Sequence, residues 1–202
     1  MNTTPIKAIL FDLDGIVIVG RKRFFSERLA EEHNIPMESV LEFFQNDLKP
    51  CSMGEADLKE KLAPYLAKWN WQGSTEDLLE YWFSSESTKD VEVLAIVKQL
   101  RDKGVKCYVA TRQEKYRLQY LLDVVGLKDH FDGIFCTCNI GHDKSEPAFF
   151  EHALAELGLK PEEVLFFDDL QKNVDTANGL GSKAHFYDNI SVLKQQTESI
   201  LN

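Results

Sequence analysis

Five short apolar runs, at residues 6–11, 105–110, 133–136, 164–167 and 184–187, restrict this chain more than any other feature. Each is hydrophobic at consecutive rather than alternate positions, and each ends in a polar or turn residue. A strand with one wet face alternates; a strand covered by helices on both faces does not. Between the later runs, apolar residues recur at helical spacing. Val93, Ile96, Val97 and Leu100 form one set, Leu118, Leu121, Leu122 and Val125 a second, and Phe150, Ala153, Leu154 and Leu157 a third. Gly104, Gly126 and Gly158 mark the ends of these helices, and Pro161 opens a further turn. Strand alternating with helix predicts an α/β fold with a parallel sheet.

The interval from Arg21 to Lys89 breaks this rhythm. It carries helical patterns at 24–33, 38–47, 55–69 and 75–84 and no convincing strand. Ser52 with Glu55, and Ser74 with Asp77, resemble capping-box starts. A connection of this length is too long for a plain crossover, so an inserted helical subdomain is expected. The division is residues 1–19 and 90–202 for the α/β core, and 20–89 for the insert. Trp69, Trp71, Tyr81, Trp82 and Phe83 in the insert read as the core of a small helical bundle. Arg21, Lys22 and Arg23 at its entrance read as a solvated hinge.

Charge and export signals narrow the function. The 202 residues carry 33 acidic and 23 basic side chains, a formal charge of -10. Such a chain lacks the field that draws proteins onto nucleic acid or anionic membrane, so neither partner is expected. The start of the chain has no basic n-region, and no apolar run is long enough to span a bilayer. Cys51, Cys107, Cys136 and Cys138 lack zinc or redox spacing and read as thiols of a reducing compartment. The five histidines show no metal spacing either. The expectation is a cytoplasmic protein, a monomer or weak homodimer, acting on a small molecule.

Acidic pairs follow two of the apolar runs. The first ends in Asp12-Leu13-Asp14-Gly15, where residues two apart share one face of an extended backbone. The fourth ends in Asp168-Asp169. In an open α/β sheet ligands gather beyond the carboxyl ends of the strands, and parallel strands put both clusters on that edge. Two carboxylates ~4 Å apart repel by about 4 kcal/mol at an effective dielectric near 20. Such a group of oxygens calls for a cation, and Mg²⁺, usually completed by substrate phosphate, suits it. Thr111 ends the second run and Lys144 follows the third, offering a hydroxyl and an ammonium to a phosphoryl group on the same edge. Asp169 is open to another role, capping the helix that starts near Asn173.

Asp12-Leu13-Asp14-Gly15, Thr111, Lys144 and Asp168-Asp169 resemble, in order and spacing, the four motifs of the haloacid dehalogenase (HAD) superfamily. The resemblance covers nearly the whole chain. It implies a Rossmann-like three-layer sandwich, with the insert as the helical C1 cap. The segment 165–174 is similar to the sugar-phosphatase and epoxide-hydrolase N-terminal branch. By this resemblance Asp12 is the nucleophile and Asp14 the general acid and base. Asp12 and the Asp14 carbonyl hold Mg²⁺, with Asp169 favoured as a direct ligand and Asp168 acting through water or on Lys144. Thr111 and Lys144 bind phosphoryl oxygens, Arg112 and Gln113 contact substrate, and Asn173 either braces the metal loop or is structural. The departures are Ile16, Val19 in place of a frequent Asp, and Ser145-Glu146 after the lysine. The activity implied is Mg²⁺-dependent hydrolysis of a small phosphorylated metabolite, a sugar phosphate among the candidates. A phosphomutase, a 2-haloacid dehalogenase and a non-catalytic interaction module are the alternatives. Asp14 argues against the dehalogenase, which does not keep that second acid.

Overall fold

The computed structural model describes residues 4–20 and 23–202. All five apolar runs are strands, β1 (Ala8–Phe11), β4 (Lys106–Thr111), β5 (Gly133–Cys136), β6 (Val164–Asp168) and β7 (Lys183–Phe186). They form one parallel sheet in the order β5-β4-β1-β6-β7. Chain order reverses about β1, and this places a crevice beyond its carboxyl end. Two short strands absent from the sequence reading, β2 (Ile18–Val19) and β3 (Thr88–Lys89), pair antiparallel where the chain enters and leaves the insert. β2 ends at the first expected domain boundary and β3 at the second.

The sheet's two-residue period separates its cores. Ile9 and Phe11 of β1 pack with Val97 and Leu100 of α6 (Val91–Asp102), Leu121 of α7 (Lys115–Asp123) and Leu193 of α11 (Ile190–Leu201). Ala8 and Leu10 face the opposite layer, with Phe149, Phe150 and Ala153 of α9 (Pro147–Leu157) and Val174 and Ala177 of α10 (Gln171–Gly179). A short helix, α8 (Thr137–Ile140), follows β5. Each fully buried Ile, Leu or Phe here contributes about 1.5–3 kcal/mol.

The insert holds α1 (Phe25–Glu32), α2 (Met37–Asn46), α3 (Leu48–Ser52), α4 (Leu58–Lys68) and α5 (Thr75–Ser85) around a separate aromatic core. Trp69, Trp82 and Phe83 are buried in it, stacked and edge-packed on Phe25, Phe43 and Tyr65; Trp71 and Tyr81 lean on its margin. Ser74 does cap α5, its hydroxyl accepting from Asp77 N while Asp77 returns the bond. The Ser52–Glu55 box does not form. Ser52 ends α3, its hydroxyl donating back to Leu48 O, and Asp57 caps α4 instead. The intervening turn needs Gly54, whose φ is +76°; a Cβ there would sit 2.2 Å from the carbonyl oxygen of Cys138. At this close approach the insert docks on α8, and Thr137 Oγ1 donates to Ser52 O at 2.6 Å. Arg23 pairs with Glu31 and Glu32; Arg21 and Lys22 lie outside the described residues.

Candidate active site

Strand register builds the site. Phe11 lies level with Val109 on one side and Phe167 on the other, so the residues beyond these strands share an edge. Asp12 N donates to Phe167 O at 2.8 Å and continues the ladder one step past β1. Lys144 Nζ then lies 2.6 Å from Asp12 Oδ1 and 2.7 Å from Asp168 Oδ2. All three side chains are buried. Asp12 Oδ1 also accepts from Leu13 N, and Asp168 Oδ1 from Leu170 N and Asn173 Nδ2. Asn173 therefore braces this loop. Asp169 does not cap the following helix; Leu170 is its cap residue and Gln171 its first turn.

Burial pushes the Asp12 carboxyl up to about 7, against the pull of Lys144. Burial opposes the Lys144 ammonium, but Asp12 and Asp168 outweigh it and hold the group above the ordinary lysine range. Burial, then the nearby Asp168 charge, raises Asp169 as well. One lysine does not balance these acids. A carboxylate oxygen from each of Asp12, Asp168 and Asp169 falls within 4.8 Å of the other two, the only such set among the described residues. The donor set is all oxygen and short of positive charge, which fits Mg²⁺. Asp168 already accepts three hydrogen bonds, leaving Asp12 and Asp169 the freer donors. Gly15 makes room for this arrangement. Its φ is +91°, and a Cβ would lie 2.5 Å from Asp169 Oδ2.

A cavity of about 420 Å³ is lined by Asp12, Asp14, Thr111, Arg112, Lys144 and Asp169 together. Thr111 is buried at the end of β4. Arg112 is largely exposed, 3.5 Å from Asp143 Oδ2, at the cavity's rim. Asp14 faces a second hollow of about 470 Å³, between the insert and the core, which Phe44, Lys49 and Trp82 line from the insert side. A larger hollow, of about 830 Å³, runs along α6 to the starts of β4 and β5. There Arg101 and Lys106 already pair with Asp132, and the hollow shares no residue with the acidic edge.

Three residues near Asp14 escaped the sequence reading in these roles. Gln113 Nε2 donates to Asp14 Oδ2 at 2.6 Å, Arg117 Nη2 donates to Asp14 Oδ1 at 3.0 Å, and Glu86 lies beyond Arg117. A signal existed for one of them. Arg117 stands four residues before Leu121, so it falls on the buried face of its helix, where a charge demands a partner.

The model of the haloacid dehalogenase-like hydrolases matches residues 6–181, and the chain belongs to that family. A pyrophosphatase PpaX of Bacillus cereus is 26% identical over 185 residues, spanning 88% of this chain and 81% of its own. A solved HAD family enzyme of Bacteroides thetaiotaomicron, BT-2542, in complex with magnesium and inorganic phosphate, superposes with a TM-score of 0.79 at 19% identity. The match covers 93% of this chain and 98% of that one. A HAD-like family hydrolase of Porphyromonas gingivalis gives 0.74 at 22% identity, covering 96% and 98%. The fold is the α/β, Rossmann-like sandwich expected. Among the described residues no helix is long and apolar enough to cross a membrane.

Proposed function

We propose that the protein is a Mg²⁺-dependent phosphatase of small phosphorylated metabolites, with residues 20–89 as a cap over the site. The observation that carries this reading is Lys144 held between Asp12 and Asp168, beside a cavity that Thr111 and Asp169 also line. Asp12, Asp169 and the backbone carbonyl of Asp14 would hold Mg²⁺, with Asp168 behind them fixing Lys144. Bound there, the ion would offset the negative charge of the phosphoryl oxygens and of these carboxylates. The magnesium and phosphate in the Bacteroides enzyme support this assignment.

Asp12 Oδ attacks phosphorus while Lys144 and the Thr111 hydroxyl bind the phosphoryl oxygens. Asp14 gives its proton to the ester oxygen as the P–O bond breaks, so a neutral alcohol leaves. The Asp14 carboxylate then takes a proton from water, whose oxygen attacks the aspartyl-phosphate and returns Asp12. The leaving group lies in the hollow between cap and core, with Arg112 at its mouth. Pyrophosphate passes through the same steps with phosphate as the leaving group, a substrate that the name of the Bacillus relatives puts in the same panel.

The test is a panel of sugar phosphates, other phosphate monoesters and pyrophosphate, with Mg²⁺ and with EDTA. Turnover is expected only with the metal, and Asp12→Asn should lower it by about 10³-fold or more. Hydrolysis that persists in the purified Asp12→Asn protein overturns the reading.

A further inference from the structure

Arg117 is an expensive residue to place where it stands. Its side chain is 5% exposed, in a helix face otherwise turned to apolar neighbours. A buried guanidinium costs several kcal/mol unless charges and hydrogen bonds compensate it. Here the compensation comes from two directions. Nη2 donates to Asp14 Oδ1 at 3.0 Å and to the backbone oxygen of Glu86 at 2.9 Å. Nη1 lies 3.7 Å from Glu86 Oε2 and has no hydrogen-bond partner among the described residues.

Glu86 is itself buried, immediately after α5, where the chain leaves the helical insert. Its Oε1 accepts from Phe25 N at 2.7 Å, where the insert begins, and its Oε2 from Trp82 Nε1 at 3.3 Å. One carboxylate thus joins both ends of the insert. The helix bearing Arg117 is equally two-sided. Leu121 packs into the sheet core, whereas Tyr116 and Tyr120 pack against the aromatic core of the insert. Glu114, at the N-cap of that helix, bonds the backbone N–H groups of Tyr116 and Arg117 and so fixes where the arginine starts. Asp14 meets a planar donor on one oxygen and Gln113 on the other, which sets the plane of its carboxylate.

We infer that Arg117 is a positioning residue. It sets the direction in which Asp14 presents its proton, and through Glu86 it makes that direction depend on where the insert lies over the site. The inference rests on the phosphatase reading, in which Asp14 protonates the leaving oxygen while the Asp12–phosphorus bond forms. The carboxylate left behind faces the guanidinium, which keeps it oriented to take the next proton from water.

The test uses two esters that differ in their need for an acid. An alkyl phosphate must have its leaving oxygen protonated; a nitrophenyl phosphate expels a stable phenolate without help. The readout is kcat/KM, which reports the phosphoryl-transfer step to Asp12 and not the later hydrolysis. Arg117→Ala should lose about 10²–10⁴-fold on the alkyl ester and about tenfold or less on the nitrophenyl ester. Arg117→Lys keeps the buried charge without the fork, and should show the same selectivity at reduced size. It carries the test alone if the alanine variant does not fold. Glu86→Gln, which does not touch Asp14, should also slow the alkyl ester more than the nitrophenyl ester. Equal losses on both esters in the Arg117 variants overturn the positioning role, and equal losses in Glu86→Gln overturn the coupling to the insert. Failure of the parent reading looks different: the unmodified protein with Mg²⁺ would then hydrolyse neither ester.

Discussion

The carboxyl edge of the sheet and the helical insert above it bury side chains of opposite kinds. At the edge, Asp12, Lys144, Asp168 and Asn173 are withdrawn from water and satisfied mainly by one another. In the insert, Phe43, Trp69, Leu78 and Trp82 fill the interior, while charged pairs such as Lys59–Glu76 and Lys68–Glu42 stay at the surface. Glu86 is the one carboxylate of the insert among the described residues that is buried, and it faces the core. Buried ions add little to stability compared with apolar groups of the same size. Aromatic packing adds much. The charges of the edge therefore do little to hold the fold, whereas the rings of the insert hold its shape.

The sharpest way to break this contrast is Lys144→Met. With the ammonium gone, Asp12 and Asp168 face each other without a counter-ion, and the expected loss in urea unfolding is about 3–5 kcal/mol. Turnover of phosphate esters should vanish with it. Millimolar Mg²⁺ should return part of the stability, because an ion that binds only the folded state shifts the equilibrium toward it. A variant as stable as its parent without metal would mean that the acids were never held as ions.

Phe43→Ala probes the other side. Phe43 is fully buried, with edge contacts to Phe44, Tyr65, Trp69 and Trp82. Its truncation should cost about 3–5 kcal/mol. In contrast to Lys144→Met, kcat measured well below the melting temperature should stay within a few-fold of the parent. A collapse of kcat in a folded Phe43→Ala protein would place chemistry in the aromatic core.

The same contrast explains how much could be read from the sequence. The strands were legible because burial on both faces forces continuous apolar runs, and register alone then brings Asp12 beside Asp168. Asp14 and Lys144 were legible only in company: alone each has a bland use at the surface, but two acidic clusters after buried strands, with Thr111 and Lys144 between them in order, do not. Arg117 offered only the sign of a charge on a buried helix face, and Glu86 none. Their partners lie 103 and 61 positions away in the chain, and no local pattern encodes that pairing. The two-residue strands β2 and β3 are too short for any period to appear. Ser52 misled for a related reason: the capping-box pattern was present, but the left-handed turn at Gly54 against Cys138 O moved the start of α4 to Asp57.

The smallest expected effect lies where the two regions touch. Asp57 Oδ1 caps α4 by accepting from Lys59 N, while Oδ2 takes bonds from Lys115 Nζ at 2.6 Å and Tyr116 OH at 2.7 Å, both in the core. These bonds, Lys115 first and Tyr116 next, hold its carboxyl far below the usual range. Asp57→Asn keeps a competent helix cap but drops the charge, so the loss at neutral pH should be about 0.2–1 kcal/mol. The folded-state value is depressed, so the stabilisation is fully present above the unfolded carboxylate value of about 3.9 and is lost as pH falls toward the folded one. Urea unfolding of the two proteins should therefore differ by a constant amount from neutral pH down to about 5, and converge in acid. A gap that widens on acidification would show that Asp57 is not held as an ion. Convergence would make this contact a partly exposed tether, adding a small charge-dependent increment to the packing of Tyr116 and Tyr120 that already joins the two regions.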